Sequence, residues 1–279
     1  MTIRVKLLGN QKTMPEKLLI LGGTREAYQL AEILNAQFTQ EKLNFISSLA
    51  GTTKKPNIPA GKFRTGGFGG LSGLKNFLVK EKISLLVDAT HPFAENISKN
   101  ALLTASELGL PLLTLKRPPW VKHQNDLWIE VTSVKNAVKY LKNLEKKTGP
   151  LFSTGLIFLT TGNKDLRLFQ NSLNCNFLVR TVEKPELVSE WPKAMFLKDR
   201  GPYTLENEIK LLKNHKISML VSKNSGGIST YAKIEAARYF KIPVLMVSRP
   251  ELITAKSCQT VNEAVDWVNL HCSYNKKHN

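Results

Sequence analysis

Short apolar runs alternate with segments of helical period along almost the whole chain, from Lys17 to His271. A buried strand reads as a short apolar run, and a helix lying on it reads as apolar residues three and four apart. When the two take turns with short loops between them, the strands run parallel in sheets covered on both faces. Lys17–Leu21 (KLLIL) feeds Gly22-Gly23-Thr24, and Arg25–Leu34 follows with Ala27, Leu30, Ala31 and Leu34 at helical spacing. Further strands are predicted at Asn44–Leu49, Lys62–Thr65, Ser84–Asp88, Leu110–Leu115, Trp128–Val131, Leu156–Thr161, Phe177–Val182, Ala194–Lys198, Ser218–Ser222 and Pro243–Val247. Helices are predicted at Leu71–Lys80, Glu95–Leu108, Ser133–Leu144, Thr204–Asn214, Thr230–Phe240 and Val261–His271. A barrel of even strand–helix units is disfavoured, because Phe177 to Lys198 reads as strand, loop, strand.

An internal repeat organises the alternation. Ser84–Pro118 and Ser218–Pro250 both run strand, polar loop, helix with an Ala-rich last turn, strand and then Arg-Pro. Duplication explains the shared bracketing better than the general likeness of strand–helix–strand units. With 279 residues and roughly 150 per domain, the reading is α/β: two doubly wound parallel-sheet domains with a cleft between them. The expected boundaries are a disordered lead-in over 1–16, an N-terminal domain over 17–120 and a C-terminal domain over 121–279. Exchange of terminal strands between the two stays open at this point, and would blur the boundary near residue 120.

Composition removes whole classes. Apolar residues make up 42% and are spread along the chain, which excludes disorder as the dominant state. No run approaches the roughly 18 apolar residues of a membrane span. The N-terminus carries Arg4 and Lys6 but lacks the apolar core of a signal peptide. Three cysteines without a CxxC pair (Cys175, Cys258, Cys272) suit a reducing, cytoplasmic setting. No Cys/His ligand spacing, HExxH, GxSxG or GxxxxGK[ST] motif occurs, so no metal site is expected and the hydrolase and P-loop readings lose support. The net charge is +18, from 40 basic and 22 acidic residues. The basic residues are scattered without an Arg-rich helix, which disfavours nucleic acid and suits an anionic small molecule.

Several loops carry candidate chemistry. A strand feeding Gly22-Gly23-Thr24 and then a helix aims backbone N–H groups and a positive helix end at one spot, where a phosphate binds. Arg25 adds charge there, and Glu26 can cap the helix. Without the full GxGxxG the turn is weak evidence for a dinucleotide. The next strand region offers Ser47, Ser48, Thr52, Thr53, Lys54 and Lys55 in place of the acid that holds a ribose diol. That favours NADP(H) over NAD(H), unless the segment is a solvated loop. Thr90 and His91 follow Asp88 at a strand end, and His91 precedes proline, so its ring can project from extended backbone. It can donate a proton or simply pack. Lys223, Asn224, Ser225, Gly226 and Gly227 form the matching loop of the second copy, with Lys223 able to pair a carboxylate. Thr161 and Gly162 echo the first turn. Arg117 and Arg249 present carboxylate-matching forks, and the Trp120 face can cover a flat macrocycle; surface charge and interdomain packing are their plain alternatives.

The chain also resembles the precorrin-6A reductase family of cobalamin biosynthesis, whose cobalt-substrate version is a close relative. The resemblance rests on LILGGTREA (Leu19–Ala27), SLAG (Ser48–Gly51), TGGFGG…GL (Thr65–Leu74), LVDATHPFA (Leu86–Ala94), RPPW (Arg117–Trp120), LTTG (Leu159–Gly162), RGP (Arg200–Pro202) and SKNSGG…T (Ser222–Thr230), in order. It implies two Rossmann-like domains and hydride transfer from NADPH to the macrocycle of precorrin-6A. Cofactor contacts would fall at Gly22, Gly23, Thr24, Arg25, Ser47, Ser48 and Thr90. His91 and Lys223 are the candidate proton donors, with solvent as rival. An anionic tetrapyrrole would meet Arg117, Trp120, Thr161, Gly162, Lys223, Asn224, Ser225, Gly226, Gly227 and Arg249. A monomer is expected, because two domains can cover each other. The alternatives are an NADH-dependent cobalt-precorrin-6A reductase, a tetrapyrrole methyltransferase or other Rossmann-type enzyme, and a non-catalytic nucleotide- or nucleic-acid-binding module.

Overall fold

The structure is a computed structural model, and it describes residues 16–39, 42–51, 56–148, 155–170, 175–183, 185, 191–251 and 256–274. The expected lead-in, apart from Glu16, and residues 52–55 lie outside this set. The first half runs β1 (Glu16–Leu21), α1 (Arg25–Gln37), β2 (Leu43–Leu49), β3 (Lys62–Thr65), α2 (Gly70–Lys80), β4 (Leu85–Asp88), α3 (Glu95–Leu108) and β5 (Leu112–Leu115). The second runs β6 (Trp128–Val131), α4 (Val134–Thr148), β7 (Leu156–Leu159), α5 (Leu166–Gln170), β8 (Phe177–Thr181), β9 (Ala194–Lys198), α6 (Leu205–Asn214), β10 (Ile217–Lys223), α7 (Ala232–Tyr239) and β11 (Val244–Val247). β12 (Lys256–Cys258) and α8 (Val261–Tyr274) follow.

These strands build two six-stranded sheets, ordered β12-β5-β4-β1-β2-β3 and β6-β11-β10-β7-β8-β9. All recorded pairings are parallel. Strand alternation sorts each sheet's side chains to two faces. Leu18 and Ile20 join α1 and α8 in one core, while Leu19 and Leu21 join α2 and α3 in another. Likewise Ile157, Leu159, Phe177 and Val179 pack under α4 and α5, and Phe158 and Leu178 under α6 and α7. Both sheets therefore have the doubly wound order, with switch points between β1 and β4 and between β7 and β10.

The order reveals a strand exchange. β6 follows β5 in sequence yet pairs with β11 in the second sheet, and β12 pairs with β5 in the first. The expected C-terminal unit over 121–279 therefore loses its end: residues 256–274 belong structurally to the first sheet. α8 explains why. Its Ala264, Val265, Trp267 and Val268 fill the core shared by α1, Leu18 and Val87. β12 (KSC) has no apolar run, so periodicity could not signal it.

Trp267→Ala is expected to destabilise the chain by about 3–5 kcal/mol, the usual effect of emptying a large aromatic site. Urea unfolding followed by far-UV dichroism measures this, and a change under about 1 kcal/mol would show that α8 does not complete the first core.

Candidate functional site

The carboxyl ends of both sheets meet at the junction of the two halves. On the first side, the Gly22 N–H donates to Ser48 O at 2.9 Å, which draws the turn after β1 over the end of β2. Gly23 has φ +104°, a conformation that favours glycine. Thr24 is the N-cap of α1: its Oγ1 accepts from the Ala27 N–H at 3.2 Å and donates to Ala89 O at 2.7 Å. That second bond ties the turn to the end of β4, across the switch point. The N-terminus of the 13-residue helix α1 thus opens where a phosphate is best placed. Arg25 is exposed beside it.

Glu26 does not cap its helix. Its Oε2 pairs with Arg117 Nη1 at 2.5 Å, both side chains being mostly enclosed. Ser47 and Ser48 are buried at the end of β2. Ser47 Oγ has no hydrogen-bond partner, whereas Ser48 Oγ accepts from Arg64 Nη1 at 2.7 Å. Arg64, at the end of β3, also donates to Gly66 O (2.9 Å) and Gly67 O (3.1 Å), and its guanidinium stacks 4.1 Å from the Phe68 ring centroid. Sequence reading passed over Arg64. Its only signal was a basic residue closing the strand before Gly66-Gly67.

Beyond β4, the Asp88 carboxylate accepts from both the backbone N–H (3.1 Å) and Oγ1 (2.7 Å) of Thr90. A cavity of about 20 Å³, room for one water, lies among Asp88, Thr90, His91, Ser98, Thr114 and Lys116. His91 Nδ1 accepts from the Phe93 N–H at 3.3 Å, which leaves the proton of the neutral ring on Nε2. His91 retains exposed surface, but protein atoms crowd its ring. That desolvation, then repulsion from Arg117, Lys223, Lys233 and Arg249, pushes its pKa down to about 3. It is a neutral donor at pH 7, not an imidazolium.

The second half supplies the other wall. Phe93 leaves the first half and packs on the core under α4. Lys223 Nζ lies 5.3 Å from the Phe93 ring centroid and pairs with Asp165 at 2.5 Å, so its charge is already compensated. Asn224 clasps Trp120 both ways: Oδ1 accepts from the Trp120 N–H at 2.7 Å and Nδ2 donates to Trp120 O at 3.0 Å. Ser225 O accepts from Arg117 Nε (2.7 Å) and Arg249 Nη2 (2.9 Å). Arg249 also donates to Asn224 O, Arg117 O and Pro118 O. The two guanidinium forks expected to meet carboxylates are thus engaged inside the protein. Gly227 lies against the Arg117 guanidinium.

Trp120 is likewise not a free face. It is 9% exposed and packs in the core under α7, 5.7 Å from the Tyr231 ring centroid. The crossover from residue 117 to residue 127 lies against α7, held by Asp126 on Arg238 at 2.8 Å, and that strap carries the indole inward. Thr161 is buried with Oγ1 unpartnered, and Gly162 has φ +85°. Among the described residues no group of acids, histidines and cysteines could hold a metal, and no helix is long and apolar enough to cross a membrane.

Two sheets of one strand order, with a phosphate-type turn at the switch point of the first and a polar, glycine-containing loop at that of the second, define a Rossmann-like α/β protein. The family model for the precorrin-6x reductases CbiJ/CobK matches residues 17–269, and the chain belongs to that family. It is 38% identical over 253 residues to the precorrin-6A reductase of Rhodococcus erythropolis, covering 90% of this chain and 97% of the relative. The precorrin-6A reductase of Rhodobacter capsulatus is 34% identical, covering 91% and 96%. The cobalt-precorrin-6A reductase of Priestia megaterium is 27% identical over 69% of this chain and 75% of the relative. A solved structure of CobK precorrin-6A reductase superposes with a TM-score of 0.82 at 34% identity, covering 92% of this chain and 97% of that one.

Two outcomes follow from this geometry. In a histidine NMR titration, His91 should not titrate between about pH 8 and pH 5, whereas an ordinary histidine has its midpoint near 6.5; such a midpoint at His91 would refute the crowded, cationic setting. A native pKa below the unfolded one also means that the His91 contribution to stability is lost as pH falls from about 6.5 towards 3. Gly226 has φ +69°, and a Cβ there would lie 1.9 Å from Pro118 O. Gly226→Ala should therefore destabilise by at least about 1–3 kcal/mol in thermal unfolding, and an unchanged melting temperature would contradict the close approach.

Proposed function

We propose that the chain reduces precorrin-6A to precorrin-6B in cobalamin biosynthesis, in the cytoplasm, with NADPH as hydride donor. The observation that carries this reading is the cofactor-type turn of α1 beside Arg64, in a chain whose relatives over nine-tenths of its length are precorrin-6A reductases.

The residues at the ends of β1 to β4 fit a pyridine dinucleotide. The backbone N–H groups of Gly22 to Arg25 and the start of α1 suit the pyrophosphate. Arg117 compensates the charge of Glu26, which would otherwise repel phosphate next to that turn. The unpartnered Ser47 hydroxyl and the Arg64 guanidinium suit the ribose and its 2′-phosphate, where an NAD site would place an acid. Bound there, NADPH supplies the hydride, and the protein supplies alignment and exclusion of water.

The substrate is an anionic tetrapyrrole lying in a cleft between the two halves. Thr90, His91, Thr161, Gly162 and the loop from Asn224 to Gly227 are the residues we assign to its binding. Its negative charge would offset the repulsion from the cations around His91, which is the smaller cause of the lowered imidazole pKa after desolvation. Nε2 can then hold and pass on the proton that completes reduction at the carbon next to the hydride acceptor. The charge of +18 would speed encounter with such a substrate. The cobalt-substrate relatives match less of the chain, which favours the metal-free substrate.

Incubating the full chain with precorrin-6A and NADPH tests the reading. Nucleotide oxidation coupled to macrocycle reduction is expected, and none would overturn it. Arg64→Ala should raise KM for NADPH by about 10- to 100-fold, the worth of charge-assisted hydrogen bonds, and leave KM for NADH nearly unchanged. Equal loss with both nucleotides would remove the 2′-phosphate assignment.

A further inference from the structure

Almost every cation drawn inward at the junction already has a partner. Arg117 holds Glu26, Arg180 holds Glu208, Lys223 holds Asp165 and Arg238 holds Asp126. Arg249 is bound by backbone carbonyls.

Lys233 is different. It lies on α7 with 6% of its surface exposed. Its Nζ sits 5.5 Å from the Trp120 ring centroid, and among the described residues it has neither a carboxylate within ion-pair distance nor a hydrogen-bond acceptor. Glu208 on α6 is the acid that acts on it, but both Glu208 oxygens are taken by Arg180, at 2.7 and 3.2 Å. The neighbouring Trp120 Nε1 is also buried with no acceptor. His91, beyond β4, feels the Lys233 charge. Donors therefore outnumber acceptors at this point of the second half, away from the phosphate-type turn of the first.

An ammonium taken out of water without a counter-ion is unfavourable by several kcal/mol. A lysine normally avoids this by extending its side chain to solvent; only 6% of this residue is exposed, and its amine lies 5.5 Å from the Trp120 ring centroid. We propose that Lys233, with the Trp120 indole N–H beside it, forms a carboxylate subsite that takes one acidic arm of the anionic tetrapyrrole. The subsite rests on the substrate reading given above, and adds to it the residue that binds. Desolvation, then repulsion from Arg180 on β8, hold the ammonium down to about 7, with Glu208 opposing. Part of the free protein therefore carries a neutral amine above neutrality. A bound carboxylate would favour the charged form, so binding would take up a proton.

The test uses the full chain and uroporphyrin I, an octacarboxylate tetrapyrrole, in titration calorimetry at about pH 8 in buffers of different ionisation enthalpy. The wild type should bind with proton uptake. Lys233→Met should bind at least about ten-fold more weakly and lose that uptake, while Lys233→Arg should restore most of the affinity without it. NADPH affinity should stay within about two-fold of wild type in both variants, which a general folding defect would not allow. Wild-type porphyrin affinity and proton uptake in Lys233→Met would overturn the subsite, as would a matching loss of NADPH binding. A wild-type chain that binds NADPH but no porphyrin would overturn the tetrapyrrole reading and the subsite with it.

Discussion

The two halves are joined through one knot of backbone carbonyls and guanidinium groups. Arg117 and Arg249 close the two copies of the repeat, and both donate to Ser225 O. Arg249 also holds the carbonyls of Arg117 and Pro118, so each crossover is fastened to the other. Gly226 is required because any side chain there would strike Pro118 O. Through the Glu26–Arg117 pair the same knot reaches the first turn of α1. One cluster thus sets the spacing between the phosphate-type turn and the loop at the end of β10.

The strand exchange makes this joint firmer than a single linker could. β6 and β12 each cross to the other sheet, and α8 carries Trp267 into the core beneath α1. Neither sheet keeps its full order, nor the first its full core, without a segment from beyond the crossover. The strand ends that carry the polar loops are held by both chain crossings.

Charge is distributed accordingly. The junction gathers Arg117, Lys223, Lys233 and Arg249 around one neutral histidine. Arg117 and Lys223 are paired with acids and Arg249 is bound by backbone carbonyls, which leaves Lys233 as the one of the four without an acceptor among the described residues. Arg180 illustrates the balance: it is 6% exposed, holds Glu208, and rests on the rings of Phe158 and Tyr203. Removing either partner of such a buried pair is strongly destabilising, which assigns this one to the scaffold beneath the loop.

The strand–helix alternation, the repeat and the phosphate-type turn were all legible in the sequence, because backbone periodicity and helix capping are local properties. Lys62–Thr65, Glu95–Leu108 and Ala194–Lys198 occupy the residues that the pattern predicts. The three-residue β12, with no apolar run, and the five-residue α5 were not legible. At the site, residue type alone pointed to Arg117, Arg249 and Trp120 as ligand contacts, but the guanidinium donors and the indole face are occupied within the fold, and the buried Trp120 Nε1–H is left without an acceptor among the described residues. Arg64 and Lys233 passed unnoticed, since a scattered basic residue carries no local signal. The sequence by itself determined two doubly wound parallel sheets and where their strand ends carry polar loops. Only the tertiary structure decided which sheet each terminal strand joins and which cations keep their charge uncompensated, because both depend on partners many tens of residues away whose burial is set by packing across the crossover.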